Sequence, residues 1–264
     1  MPNLQDTLQR LAERFVARDI MTPDERLVAA QDEAESMQLL ETYPRYDVIL
    51  IRDGDRLVAF IERGTLTPKP IQIQHVVSAE TSIPELVESL CECRFVFIVG
   101  RQQVVGLVQL ADLNDPIVKL PYFVLLDGLE RQIADAIRPL VTEETLPRLK
   151  IDPDRLRGLK QKMAKLQKND ADRDWVTLLY FRELLEAAVH FGKLNLSAPR
   201  IDDSSTVRTR VSHAATDELV ESHNDVRRLS RVHQLCVELL LGVGAARPSM
   251  AADAVGPAEE EPVL

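Results

Sequence analysis

The feature that most constrains this chain is an internal repeat. Residues 48–61 read VILIRDGDRLVAFI, two short strands rich in β-branched residues around a turn at Asp53-Gly54-Asp55. A gapless shift of 47 positions, which carries Ala59 onto Gly106, lands on Val96–Val108, again strand, turn and strand. Each hairpin follows a stretch with apolar residues at helical spacing, Glu33–Thr42 and Ser82–Cys91, and a short apolar piece before that. Each unit is therefore expected to run strand, helix, strand, strand. From Asp115 onward a 3.6-residue period takes over. Helices are expected over Leu120–Leu140, opened by Pro121 and closed near Pro139, over Pro153–Gln167, over Asp174–Phe191, and from about Thr206 to Leu241. The run Asp202-Asp203-Ser204-Ser205 supplies N-cap chemistry for the last. Four amphipathic helices with short connections imply an antiparallel bundle, and the whole chain an α+β class.

Charge and composition narrow the function. The 264 residues suffice for two domains, and no apolar run reaches the about 18 residues that cross a bilayer, so a cytoplasmic protein without a membrane partner is expected. Cys91, Cys93 and Cys236 form neither a disulfide framework nor a zinc signature. His213, His223 and His233 recur every ten residues and so do not share a helix face, while His75 and His190 stand alone; no metal site is expected. A net charge of −10 argues against a protein coated in nucleic acid and gives no expectation of DNA binding. Residues 148–168 nevertheless carry eight basic side chains against Asp152 and Asp154. Arg155, Lys160, Lys162 and Lys165 in this stripe are candidate RNA contacts, with a merely solvated helix face as the alternative.

On these residues the first half resembles the cystathionine-β-synthase (CBS) domain pair. Ala17-Arg18-Asp19-Ile20-Met21-Thr22-Pro23 is similar to that family's opening segment, and Val105-Gly106-Leu107-Val108-Gln109-Leu110-Ala111-Asp112-Leu113 to its closing one. The resemblance implies a pseudo-symmetric disc that takes an adenine nucleotide as a regulatory ligand. Asp112 matches the ribose-binding position, and Gln109 stands where the family has a phosphate-touching hydroxyl. In the first unit the corresponding residues are Ala59, Glu62 and Thr65, and a carboxylate at Glu62 repels phosphate. At most one nucleotide site is therefore expected, around Asp112 and Gln109 with backbone groups near Val76 and Val77, the alternative being a pair that serves only as a dimerisation disc.

The second half resembles the HEPN superfamily of helical domains. The resemblance is carried by Val207-Arg208-Thr209-Arg210-Val211-Ser212-His213, and by Leu113-Asn114-Asp115 through Leu129-Glu130 in the first helix. In HEPN ribonucleases an Arg and a His meet their counterparts across a dimer interface without metal, and leave a 2′,3′-cyclic phosphate. Imidazole exchanges protons near neutral pH, and guanidinium forks onto phosphate oxygens. Arg208, His213 and Thr209 are the catalytic candidates; Thr209 stands where active members carry Asn, Asp or His.

The expected organisation is an N-terminal helix (1–15), CBS repeat 1 (16–66), CBS repeat 2 (67–115), a four-helix HEPN-like bundle (116–243) and a disordered tail (244–264). The expected function is a homodimeric, nucleotide-regulated endoribonuclease that requires no cofactor. The alternative is a non-catalytic adenine-nucleotide sensor and dimerisation protein whose helices bind a partner or RNA without cleavage.

Overall fold

The computed structural model describes residues 4–43, 48–54, 56–65, 67–168, 174–213 and 218–241. Asp55 of the expected turn and the expected tail lie outside the described residues. In chain order the first half comprises α1 (Leu4–Ala12), β1 (Thr22–Pro23), β2 (Ala29–Ala30), α2 (Glu33–Thr42), β3 (Val48–Asp53) and β4 (Arg56–Glu62). It continues with β5 (Lys69–Pro70), β6 (Val76–Ser78), α3 (Ile83–Leu90), β7 (Phe95–Gly100) and β8 (Gln103–Gln109).

The 47-residue offset is reproduced in three dimensions. It superposes β3 on β7 and β4 on β8 residue for residue, including a register shift at Ile51/Arg52 and again at Ile98/Val99. The turn residue Gly54 has φ 58°, and its counterpart Arg101 is held at φ 50° with Gln102 at 70°, as a two-residue hairpin of this hand demands. The strand orders are β2-β3-β4-β5 and β1-β8-β7-β6. Each repeat thus lends its leading strand to the other's sheet. Pro23 of β1 lies opposite Gly106, and its counterpart Pro70 of β5 lies opposite Ala59. A Cβ at Gly106 would come within 2.8 Å of the Thr22 carbonyl oxygen, so the exchanged strand closes on bare backbone there.

Strand alternation sorts the apolar side chains into layers. Val48, Leu50 and Phe60 of one sheet meet Phe95, Phe97 and Leu107 of the other, and the three phenylalanine rings stand 5.4–5.5 Å apart. On its outer face the first sheet forms a small core of Ala30, Leu40, Ile49 and Ile61 under α2. Val96, Ile98 and Val108 on the outer face of the second sheet join a much larger core that continues through α3 into the helical half. α3 is accordingly apolar on two sides, burying Ile83, Pro84, Leu86, Val87 and Leu90.

The helical half consists of α4 (Pro116–Ile137), α5 (Pro153–Lys168), α6 (Phe181–His190), α7 (Ala198–Ser212) and α8 (His223–Leu241), five helices among the described residues where four are expected. The expected helix Thr206–Leu241 is two: α7 ends at Ser212, with His213 as its non-helical C-cap. Asp225 then accepts the amides of Glu221 and Ser222 and starts a new helix. The N-terminus of α7 lies upstream of the acidic run, at Ser197 with a proline in the first turn. Asp203 instead pairs with Arg228 and Arg231 of α8. α4 likewise starts before Pro121, at Pro116, where Asp115 accepts the Ile117 amide. α1 packs on α4, where Gly128 admits Leu8. Among the described residues no helix is long and apolar enough to cross a membrane.

Candidate functional site

A cleft of about 1,010 Å3 opens where the two sheets meet the helical half. Its walls come from the first repeat (Glu62, Arg63), from the second (His75, Cys93, Arg94, Gln109) and from the first residue of α8, His223. The volume is at the upper end for small-molecule sites. Its pseudo-symmetric counterpart, around Val28, Val48 and Gln109, has only about 80 Å3. Arg26 and Leu27 line that smaller site, on a segment held to β3 by the Asp24–Arg52 ion pair at 2.6 Å.

Of the residues chosen from sequence, Gln109 lines the large cleft, as do the neighbouring Leu110 and Ala111. Asp112 sits one residue beyond, in the short helical turn Leu110–Asn114, and its carboxylate accepts the Gln109 amide at 2.7 Å. Burial pushes the Asp112 carboxyl up, that amide opposes the shift, and Asp115 adds to it. Val76 and Val77 are half-buried in β6; Val76 packs between the sheets, Val77 into the larger core, and His75 just before them reaches the cleft.

The charged groups of the cleft were not legible as a set. Glu62 is paired with Lys69 at 3.0 Å. Arg63 donates to the carbonyls of Leu40 and Tyr43. Arg94 is exposed and makes no ion pair among the described residues. Burial raises the Cys93 thiol, which donates to the Ser89 carbonyl and stays protonated. A lone Arg between a helix and a strand, and a His 129 positions further along at the start of α8, share no sequence pattern that announces a common site.

Arg208, Thr209 and His213 line a second cleft, of about 740 Å3, with Glu130, Tyr180, Arg182 and Ser205. Arg208 pairs with Glu130 of α4 at 2.9 Å, donates to the Ser212 hydroxyl, and lies 5.3 Å from the Phe123 ring centre. Thr209 is exposed and its hydroxyl donates to the Ser205 carbonyl at 2.9 Å. His213 is exposed, and its ring has no partner among the described residues. The structure therefore brings the three candidates to one solvent-open surface, with the Arg208 charge countered by Glu130.

The basic stripe is partly consumed by the fold. Arg155 forks onto Glu183 at 3.0 and 3.1 Å, donates to the Leu178 carbonyl at 2.7 Å and stacks 3.8 Å from the Tyr180 ring centre. Lys160 lies 3.7 Å from Glu143. Lys162 and Lys165 are exposed on α5 without an ion pair among the described residues. No group of three or more His, Cys, Asp or Glu suited to a metal is found among the described residues.

No protein-family model matches the chain, and no curated protein does. Solved structures similar to it are CBS-domain proteins that match about two fifths of the chain, its N-terminal part. One is the CBS domain of a bacterial CNNM/CorC-family Mg2+ transporter in complex with ATP, 23% identical, covering 43% of this chain and 94% of that one at a TM-score of 0.34. Another is a CBS domain-containing protein of unknown function from Bacillus anthracis, 16% identical, covering 42% of this chain and 96% of that one at a TM-score of 0.34.

Proposed function

We propose that the protein is a nucleotide-responsive regulator in which the paired repeats (16–66 and 67–115) hold the ligand and the helical half (116–243) is the output. The observation that carries this reading is the large cleft, whose walls come from both repeats and from α8. A ligand there touches every part whose relative position regulation would change. Arg94, exposed and in no ion pair among the described residues, offers a cation for phosphate in a cleft that His75 and His223 also line, together with the carboxylates of Glu62 and Glu92. Adenine nucleotide is the ligand implied by the resemblance to CBS pairs. Calorimetric titration with ATP, ADP and AMP tests it: binding at one site is expected, weakened about tenfold by Arg94→Ala, the worth of one charge-assisted contact. Equal heats in wild type and in buffer for all three nucleotides would refute it.

The second reading is a metal-independent endoribonuclease acting as a homodimer through Arg208, His213 and Thr209. It is favoured by the shared placement of these residues in the 740 Å3 cleft, Thr209 and His213 exposed and Arg208 half-buried. Lys162 and Lys165 would supply RNA contacts, and Glu130 would orient Arg208 until phosphate competes for it. RNA cleavage in EDTA that leaves cyclic-phosphate ends, and is lost in both Arg208→Ala and His213→Ala, is the expected result. Cleavage unchanged in either variant would exclude this site.

A further inference from the structure

The run 219–223, the end of the α7–α8 connection and the first residue of α8, is held at every position. The Leu219 carbonyl accepts from Arg210 of α7 at 2.9 Å. Val220 exchanges two hydrogen bonds, both 2.8 Å, with the side-chain amide of Asn114 at the end of the second repeat. The amides of Glu221 and Ser222 both go to Asp225. His223 Nε2 lies 2.5 Å from the carbonyl oxygen of Cys91, the C-cap of α3. A carbonyl only accepts, so Nε2 carries a hydrogen and Nδ1 is the nitrogen left for another partner. Nδ1 has no partner among the described residues, and the side chain lines the large cleft.

We propose that His223 is the ligand-contacting residue of the helical half: a phosphate-bearing ligand in the cleft engages its imidazole and so holds the 219–223 segment and the start of α8 onto the second repeat. The proposal rests on the cleft being a nucleotide site, as read above. The chemistry follows from the tautomer. With Nε2–H fixed on the Cys91 carbonyl, a ring that carries a hydrogen on both nitrogens is a two-ended donor that bridges α3 and a phosphate oxygen. Because Arg210 grips both Leu219 and, at 3.1 Å, Asp225, the same segment is tied to α7 two residues from Arg208. The connection is contiguous from the ligand cleft to the second cleft.

Hydrogen exchange on the full chain, with and without ATP, tests this in wild type, His223→Ala and His223→Gln. ATP is expected to slow exchange in wild type around residues 92–97, 109–112 and 219–229. In His223→Ala the first two regions should still respond while 219–229 does not, with ATP affinity reduced about tenfold. His223→Gln keeps an N–H for the Cys91 carbonyl, so its ligand-free exchange should match wild type, while its neutral amide, a weaker phosphate donor than an imidazolium, should reduce the response at 219–229. Protection at 92–97 and 109–112 without any at 219–229 in wild type overturns the proposal and leaves the nucleotide site standing. A His223→Gln response equal to wild type overturns it too. No protection anywhere in wild type removes the nucleotide site and the proposal together.

Discussion

Replacing Asn114 by alanine probes the joint between the two halves most directly. The Asn114 amide donates to the Val220 carbonyl and accepts its N–H, both at 2.8 Å, and Val220 is only 4% exposed. Alanine removes both bonds and strands two polar atoms of a buried residue. Each such bond is worth about 1 kcal/mol net, and a buried group left unpaired costs about 1–3 kcal/mol. Asn114 is half-buried, so water reaches part of the vacated space and the lower end applies. The expected loss is about 2–3 kcal/mol, a fall in Tm of roughly 4–10 °C for a chain of this size. Urea titration followed by fluorescence of Trp175, the single tryptophan, reads the helical half, and circular dichroism reads the whole chain. Asn114→Asp is the control: it keeps the acceptor for the Val220 N–H and sets a carboxylate against the Val220 carbonyl, so it should be no more stable than alanine. An alanine variant within about 0.5 kcal/mol of wild type would refute the claim that this pairing holds the halves together.

Three further outcomes follow from the geometry. Arg155→Ala should cost about 2–3 kcal/mol in urea unfolding, because it leaves Glu183 without its two-pronged partner, whereas alanine at Lys162 or Lys165 should cost under about 0.5 kcal/mol; an Arg155 variant of unchanged stability would contradict the clamp. Tyr122→Phe should be neutral or stabilising by up to about 1 kcal/mol, since the Tyr122 hydroxyl is buried with no hydrogen-bond partner among the described residues, and a clear loss of stability would show that it has one. For Asp225, burial alone would raise the carboxyl, but the Glu221 amide, the Ser222 hydroxyl and the Arg210 and Arg228 guanidinium groups hold it below its ordinary 3.8. A depressed folded pKa contributes stability above the unfolded value that is lost as pH falls through the folded one. Asp225→Asn should therefore trail wild type by a constant margin from pH 8 to about pH 5, with the gap closing below about pH 4; a gap undiminished at pH 3 would refute the assignment.

The repeat was legible because its hairpins are local: alternation and turn residues fix β3–β4 and β7–β8, and the 47-residue offset carries over even the register shift. The exchange of β1 and β5 between sheets was not, since two-residue strands hold too little pattern to name a partner, whether 85 positions away as Leu107 is from Thr22 or 11 as Ala59 is from Pro70. In the helical half the error at α7 has a specific cause. Asp202-Asp203-Ser204-Ser205 is good capping chemistry, but Asp203 serves α8 across the bundle, and Ser204 bonds back to the Arg200 carbonyl within the helix. A basic stripe likewise looks the same in sequence whether its arginine faces solvent or, as Arg155 does, a glutamate 28 positions on. Arg208, Thr209 and His213 were readable as a motif; that Glu130, 78 positions earlier, answers the Arg208 charge was not.

The two repeats share a fold but differ in what they rest on, and that difference gives the clefts their roles. α2 buries only Ser36 and Leu40 and shields a core of four residues, so beyond Ala17, Ile20 and the exchanged strands β1 and β5 the first repeat rests on the second through the phenylalanine contacts between the sheets. α3 is packed between the second sheet and α8, and its core runs unbroken into the bundle. Local stability tracks buried apolar contact, so the first repeat should open at lower free energy than the second. A ligand between the sheets on the side of α8 therefore joins the least anchored part of the molecule, through Glu62 and Arg63, to the most anchored, through Gln109 and His223. The small cleft, which shares Gln109 with the large one, is lined by Arg26 and Leu27 on the segment that the Asp24–Arg52 pair holds to β3, and none of its lining residues belongs to α3 or α8. Occupancy of the large cleft would thus bias how the first repeat sits on the rest, because there the loosely and firmly held parts face each other across about 1,010 Å3.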